Sequence, residues 1–135
     1  MIAHDTHIRV RYGETDQMGF LYYGYYAFYY EVGRAEWIRE EGFTYRELEE
    51  SGVVMPVMEL SSKYLRPAKY DDLVRVHTEL REWPEKDVVF HAELFNEASD
   101  LLNVGWVKLA FLNKNTLQRV NPNETFLKAL KPAFE

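Results

Sequence analysis

Two carboxylates, Glu14 and Asp16, lie two residues apart just ahead of Gly19, and the residues after them decide which chemistry is open to the pair. From Phe20 to Tyr30 the chain is aromatic or aliphatic almost throughout. A helix apolar on every side is a buried one, so the spacing predicts a carboxylate in a loop beside the start of a buried helix. The first N–H groups of a helix have no partner inside it, and the dipole places about +0.5 charge there. A carbonyl oxygen bound at such an end is polarised, and one donor of that kind is worth roughly 2.7–4 kcal/mol in an acyl-transfer transition state. A carboxylate on the other side of the carbonyl could attack it or activate a water. The same residue types also suit a purely structural role, with Asp16 as the acceptor of an Asx turn or as an N-cap. Local sequence leaves both roles open for Asp16, and Glu14 reads as a solvated loop residue.

Other chemistries find less support. The absence of cysteine excludes disulfides, thiolate nucleophiles and cysteine-bound zinc, and fits a reducing compartment. No HExxH, Ser-His-Asp order or glycine-rich phosphate loop stands out. His4 and His7 have no evident third ligand, so no metal site is expected, and His77 and His91 alternate with core residues on strands. The tyrosines Tyr22, Tyr23, Tyr25 and Tyr26 could line a ligand or simply pack with satisfied hydroxyls. Lys63, Arg66 and Lys69 flank Pro67, and Arg81 and Lys86 flank the next turn; these could meet phosphates or form a solvated rim. Net charge is −6, from 16 basic and 22 acidic residues, which argues against a nucleic-acid partner. There is no secretory h-region and no run long enough to span a bilayer, so the expected location is the cytoplasm.

The elements that must position these groups can be read from periodicity. With 135 residues, 47% of them hydrophobic, the chain is expected to form one domain over 1–135. Residues 5–12 alternate as a half-buried strand, with Thr6, Ile8, Val10 and Tyr12 on one face. A helix is expected from about 22–25 to 41, with Gly42 as its stop and Tyr26, Tyr30, Gly33 and Trp37 on one face. Its charged second half is expected to emerge into solvent. A short helix over 44–51 is signalled by the capping pair Thr44 and Glu47. Four strands are then expected at 54–65, 73–83, 88–96 and 102–113, and a tail helix opens at Asn121-Pro122-Asn123 and runs through Leu130. On the first of the four, Met58, Leu60 and Tyr64 share a side. Short turns between strands favour antiparallel pairing, so the fold class is α+β, one long helix against a curled sheet of about five strands. A single helix cannot cover such a sheet, and an oligomer is the natural solution.

The run Tyr12-x-Glu14-Thr15-Asp16-x-Met18-Gly19-x-x-Tyr22-Tyr23-x-x-Tyr26, followed by Glu31-x-x-Arg34, resembles the signature of hotdog-fold acyl-CoA thioesterases. The nearest branch is the 4-hydroxybenzoyl-CoA thioesterase family with its YbgC-like enzymes. Tyr64-x-Arg66-Pro67-Ala68-x-Tyr70-Asp71-Asp72 resembles the same family at a strand junction. The resemblance implies a hotdog fold, hydrolysis of an acyl-CoA or acyl-carrier-protein thioester, and Asp16 as nucleophile or as base for water. It implies the backbone N–H of Tyr23, with Gly24 beside it, as the donor to the thioester oxygen. Met18, Tyr22 and Tyr26 would line the pocket, and Arg66 and Lys86 would meet the CoA phosphates. It implies no metal or redox cofactor, and acyl sites between the subunits of a homodimer or homotetramer. Tyr23 and Tyr25 depart from the His and the Asn or Ser common in the family. A main-chain donor survives that change, while the two added phenols alter acyl preference. Two rivals remain: an acyl-thioester hydratase or dehydratase, disfavoured by the lack of histidine in the loop, and a non-catalytic acyl-thioester-binding protein.

Overall fold

In the computed structural model the described residues are 1–122 and 124–134, with the side chains of Thr125 and Ala133 excepted. Strand β1 (Ile2–Arg9) leads through a 3-10 turn (Tyr12–Glu14) and a loop into helix α1 (Tyr25–Glu40). Next come helix α2 (Tyr45–Glu50), strands β2 (Val53–Val54), β3 (Val57–Tyr64), β4 (Leu73–Leu80), β5 (Asp87–Phe95), β6 (Leu101–Ala110) and β7 (Leu112–Asn113), and helix α3 (Glu124–Phe134). Five strands form one antiparallel sheet in the order β1-β4-β5-β6-β3, and β2 pairs with β7 separately. The sheet curls around α1, which is the hotdog arrangement.

The register explains why α1 sits where it does. One row across the concave face reads Ile2, Leu80, Phe90, Val107, Leu60, all apolar. A second row reads His4, Thr78, Ala92, Gly105, Ser62 and is small at its centre. The helix comes closest over that small row. A Cβ on Gly33 would lie 2.6 Å from both Thr78 Oγ1 and Val76 Cγ1, so only glycine permits this approach. Trp37 closes the far end, its ring edge-on to Phe90 and its Nε1 donating to the Ile2 carbonyl. Between them, buried Tyr30 and Asn103 and half-buried Ser62 form a polar network in which the Tyr30 hydroxyl meets both partners and Asn103 Nδ2 donates to Ser62 Oγ at 2.9 Å. Burial pushes the Tyr30 phenol up to about 12, so it stays protonated and able to donate.

Several boundaries differ from those the sequence suggests. The first strand begins at Ile2 and ends at Arg9, because its partner β4 offers Leu80 opposite Ile2 and the 3-10 turn rotates the chain after Arg9. Tyr12 is therefore 79% exposed instead of sharing the buried face. The stretch 54–65 is two strands, interrupted at Met55-Pro56, since proline cannot extend a ladder. Strand β4 stops at Leu80, and Trp83 leaves the sheet to pack edge-on against Phe134 of α3. Helix α3 continues past Leu130 to Phe134; Asn123 in its expected opening lies outside the described residues. Helix α1 ends as expected, with Gly42 at φ +96, but its second half does not leave the core, for Arg34, Trp37 and Ile38 are buried. Nor is α1 covered all round in the single chain: Phe28 is 61% exposed and Val32 lies beside it in solvent.

Candidate active site

The two sequence segments that carry the resemblance are hydrogen-bonded to each other. Leu21 N–H donates to the Ala68 carbonyl at 2.7 Å, Tyr70 N–H to the Gly19 carbonyl at 3.3 Å, and Phe20 bridges Lys69. Upstream, Val10 N–H donates to Asp72 and Asp71 N–H donates back to Val10. The loop 66–72 thus buttresses the loop 13–21 along its length.

Asp16 is fixed by one of its two oxygens. Oδ1 accepts the N–H of Met18 at 2.9 Å and of Phe20 at 3.2 Å, while the Asp16 N–H donates to the Phe20 carbonyl. The turn closes through Gly19 at φ +78, a conformation that favours glycine. The Asx turn, the structural role open to Asp16, is therefore present. It occupies Oδ1 alone, and Oδ2 has no hydrogen-bond partner among the described residues.

Glu14 differs from the expectation of a solvated loop residue. It is 6% exposed, and its carboxylate accepts from Arg11 N–H at 2.9 Å, Arg11 Nη2 at 3.1 Å and the Tyr29 hydroxyl at 2.8 Å. Burial raises its pKa, but the hydrogen bonds from Arg11 and Tyr29 and the Arg11 charge outweigh that and hold it below the usual carboxylate range. Its carbonyl also accepts the Tyr22 N–H. Glu14 therefore ties the Asp16 loop to α1. The Arg11-x-x-Glu14 spacing hinted at the pair; nothing local pointed to Tyr29.

At the start of α1, Gly24 is the N-cap, and Tyr25 N–H donates to the Tyr22 carbonyl at 2.9 Å. Neither the Tyr23 nor the Gly24 N–H has an acceptor among the described residues. These are the unpartnered donors a helix start must leave. Asp16, Met18, Phe20, Leu21, Tyr23 and Tyr26 line one cleft of about 310 Å³ with Tyr64, Leu65, Arg66 and Pro67. Of the residues expected from the sequence, Asp16, Met18, Tyr23, Tyr26 and Arg66 come together there. Tyr22 and Gly24 lie outside the lining, Tyr22 stacking on Tyr23 with ring centres 4.6 Å apart. Tyr25 also lies outside, against Phe28, so only one of the two added phenols reaches the cleft of this chain. Lys86 lines a separate hollow with Glu85, Arg119 and Asn121. Phe20, Leu21, Tyr64, Leu65 and Pro67 join the cleft; all but Phe20 and Leu21 sit in or beside the second motif, where they were legible only as a strand end.

The cleft is apolar apart from its carboxylate, its guanidinium and its phenols. Burial raises the pKa of Tyr26, and the nearby Tyr64 and Asp16 add to that, so it remains a neutral phenol; its oxygen accepts the Ala68 N–H at 3.4 Å. No histidine is among the lining residues. His77 is engaged on the outer sheet face by Asp5 at 2.6 Å and Glu79 at 3.1 Å, and His4 meets Glu41.

A curled sheet around one helix, with a carboxylate and the residue of a free helix-start donor, Tyr23, in one apolar cleft, defines an acyl-transfer scaffold of the hotdog type. The chain belongs to the thioesterase-like superfamily, whose family model matches residues 10–130. It is 37% identical to YneP of Bacillus subtilis over 94 residues, covering 70% of this chain and 68% of that protein. It is 32% identical over 128 residues to the acyl-CoA thioesterase YbgC of Haemophilus influenzae, covering 94% and 90% of the two chains. The structure is similar to that of a DHNA-CoA thioesterase from Staphylococcus aureus, with TM-score 0.88, 30% identity and 100% and 97% of the chains covered.

Proposed function

We propose that this protein hydrolyses an acyl-CoA or acyl-carrier-protein thioester to free acid and thiol, with Asp16 as base or nucleophile. The observation that carries the reading is the pairing, in one apolar cleft, of an Asp16 oxygen without a partner and a helix start whose Tyr23 N–H is free. The thioester oxygen takes the N–H of Tyr23. Asp16 either removes a proton from a water as its oxygen adds to the carbonyl carbon, or adds to that carbon itself before water releases the acid. In both routes the C–S bond breaks and the thiolate leaves, taking a proton from Asp16 where Asp16 acted as base and from solvent where it acted as nucleophile. Met18 and Tyr26 flank the acyl group, and Arg66 at the rim receives the CoA phosphates. The lack of histidine in the cleft favours hydrolysis over hydration.

One domain acts here in the cytoplasm as a homodimer or homotetramer. Support for a second copy lies at the sheet edge. The apolar row that is buried at Ile2, Leu80, Phe90 and Val107 ends at Leu60, which is 41% exposed on the unpaired side of β3. An open apolar edge of that kind is a pairing surface. No helix of the described residues is long and apolar enough to cross a membrane.

The test is thiol release from short, medium and long aliphatic, benzoyl and phenylacetyl CoA by wild type and Asp16→Asn. Asparagine keeps an oxygen for the Met18 and Phe20 N–H groups, so the turn persists while the base is lost. Turnover should fall about 10²–10⁴-fold with the melting temperature unchanged. Wild-type rates in the variant refute the role of Asp16; acyl-CoA binding without thiol release by wild type points to a binding protein.

A further inference from the structure

On the outer face of the sheet, away from the cleft, three metal-ligating side chains converge. His77 and Glu79 are two residues apart on β4 and so share a face. The register sets Asp5 of β1 on one side of His77 and Glu93 of β5 on the other. His77 Nε2 lies 3.1 Å from Glu79 Oε1. One ligand atom from each of His77, Glu79 and Glu93 lies within 4.8 Å of the other two, and all three residues are half-buried.

The remaining atoms of His77 and Glu79 are held from outside the group. His77 Nδ1 meets Asp5 Oδ1 at 2.6 Å, and Asp5 Oδ2 is paired with Arg75 Nη1 at 3.4 Å. Glu79 Oε2 accepts from Arg81 Nε at 3.0 Å. Burial raises the Glu79 pKa, but Arg81 and His77 outweigh that and hold it below the usual carboxylate range. A carboxylate only accepts, so Nδ1 carries a hydrogen toward Asp5. Nε2 then faces Glu79 Oε1, a second acceptor, and a positive centre must lie between them. A proton on Nε2 links those two atoms alone. It leaves the Glu93 carboxylate, which has no hydrogen-bond or ion-pair partner among the described residues, beside a second carboxylate. A divalent ion takes all three.

We propose that His77 Nε2, Glu79 Oε1 and a Glu93 carboxylate oxygen bind one Zn²⁺ ion, with Asp5 and Arg81 as outer partners that orient the ligands. One imidazole with two carboxylates suits Zn²⁺, whereas Mg²⁺ and Ca²⁺ favour oxygen alone. A ligating histidine gives its other N–H to a carboxylate, as His77 does to Asp5. Tetrahedral Zn²⁺ spaces its ligand atoms about 3.4 Å apart, near the His77–Glu79 separation. Glu93, with no other partner, turns in to complete the set, and water takes the fourth position. A hollow of about 400 Å³ lined by Lys63, Arg81, His91, Glu93 and Trp106 gives the ion a path of entry. The bound ion ties β4 to β5 and, through Asp5, to β1.

The experiment titrates Zn²⁺ into the chelator-treated protein by calorimetry and follows the melting temperature. One equivalent should bind, and a hundredfold excess over Kd should raise the melting temperature by roughly 10 °C. Mg²⁺ and Ca²⁺ should bind far more weakly. Glu93→Gln should lower Zn²⁺ affinity at least about 100-fold. Its metal-free melting temperature should stay at the wild-type value, since the carboxylate it replaces has no partner. Asp5→Asn should cost about 10–100-fold in affinity. His4→Asn removes the separate His4–Glu41 contact and should bind Zn²⁺ as wild type does. No Zn²⁺ bound at millimolar concentration overturns the proposal and leaves a proton bridging His77 and Glu79. Wild-type affinity in Glu93→Gln, or a loss that follows His4→Asn instead, overturns it as well.

Discussion

Replacing Glu14 by Ala removes the acceptor of a buried hydroxyl, and the size of the effect is set by the group left behind. Tyr29 is 2% exposed and donates to Glu14 Oε1 at 2.8 Å, a bond to a charged group. Losing such a bond, with the donor then buried and unpaired, costs about 2–3 kcal/mol. The Arg11 guanidinium is exposed and turns to water, so its pairing adds little. For a domain of this size the loss lowers the melting temperature by roughly 10 °C. Tyr29→Phe removes the other half of the bond. In the double variant no hydroxyl is stranded, so the cycle should show a coupling of about 1–2 kcal/mol. The sign with pH is also set. Because the folded state holds the Glu14 carboxyl below its unfolded value, its contribution is complete above the ordinary carboxylate range. It fades as pH falls through the lowered folded value. Glu14→Gln keeps an oxygen for Tyr29 but has no proton to bind, so its acid limb should flatten. Thermal or urea unfolding of wild type and these variants between neutral pH and the acid range measures both effects. Strict additivity of Glu14→Ala and Tyr29→Phe, or an unchanged acid limb in Glu14→Gln, would refute the reasoning.

Gly105→Ala should destabilise by about 1–3 kcal/mol, because its Cβ would collide with the Ser61 carbonyl and the Tyr30 hydroxyl. Adding Tyr30→Phe should recover only part of the loss, since the backbone clash stays; full recovery in denaturation would show that the β3 ladder yields more than this. Leu60→Lys places a charge at the end of the apolar row on the open edge of β3. Light scattering should then report a smaller assembly than wild type, with thiol release falling alongside; an unchanged mass would exclude this edge as the subunit contact.

What could be read from the sequence was whatever local chemistry decides. Gly42 ends α1, and Thr44 caps α2 by accepting the Glu47 N–H at 3.1 Å. The alternation of Val74, Val76, Thr78 and Leu80 set the buried face of β4. Asp16 was legible because its neighbours on both sides belong to one motif. What escaped was set by distant partners. The start of β1 depends on Leu80, the end of β4 on what the loop after it packs against, and the burial of Glu14 on a tyrosine fifteen residues away across the loop. Phe28 was expected to be covered, and in a single chain it is not; nor is Leu60, which the sequence placed only on one side of its strand with Met58 and Tyr64. Composition alone marks a surface as apolar, and periodicity does not distinguish a face covered by the same chain from one left open on it.

The two carboxylates that open the motif divide one requirement between them. A carboxylate that does chemistry must be held in place, yet every hydrogen bond that holds it uses up basicity. In the proposed function Asp16 meets this by giving one oxygen to two backbone donors and leaving the other without a hydrogen-bond partner among the described residues. Those donors hold it only if the turn itself is anchored, and Glu14 supplies that anchor with a carboxylate whose bonds all serve structure. Exchanging the two roles is not possible by side chain alone. Glu14 meets the packed flank of α1 at Tyr29, while Asp16, two residues on, lines the cleft with Tyr23. The spacing of two residues is therefore what lets one short loop be rigid at its base and carry, at its tip, the carboxylate proposed to be reactive.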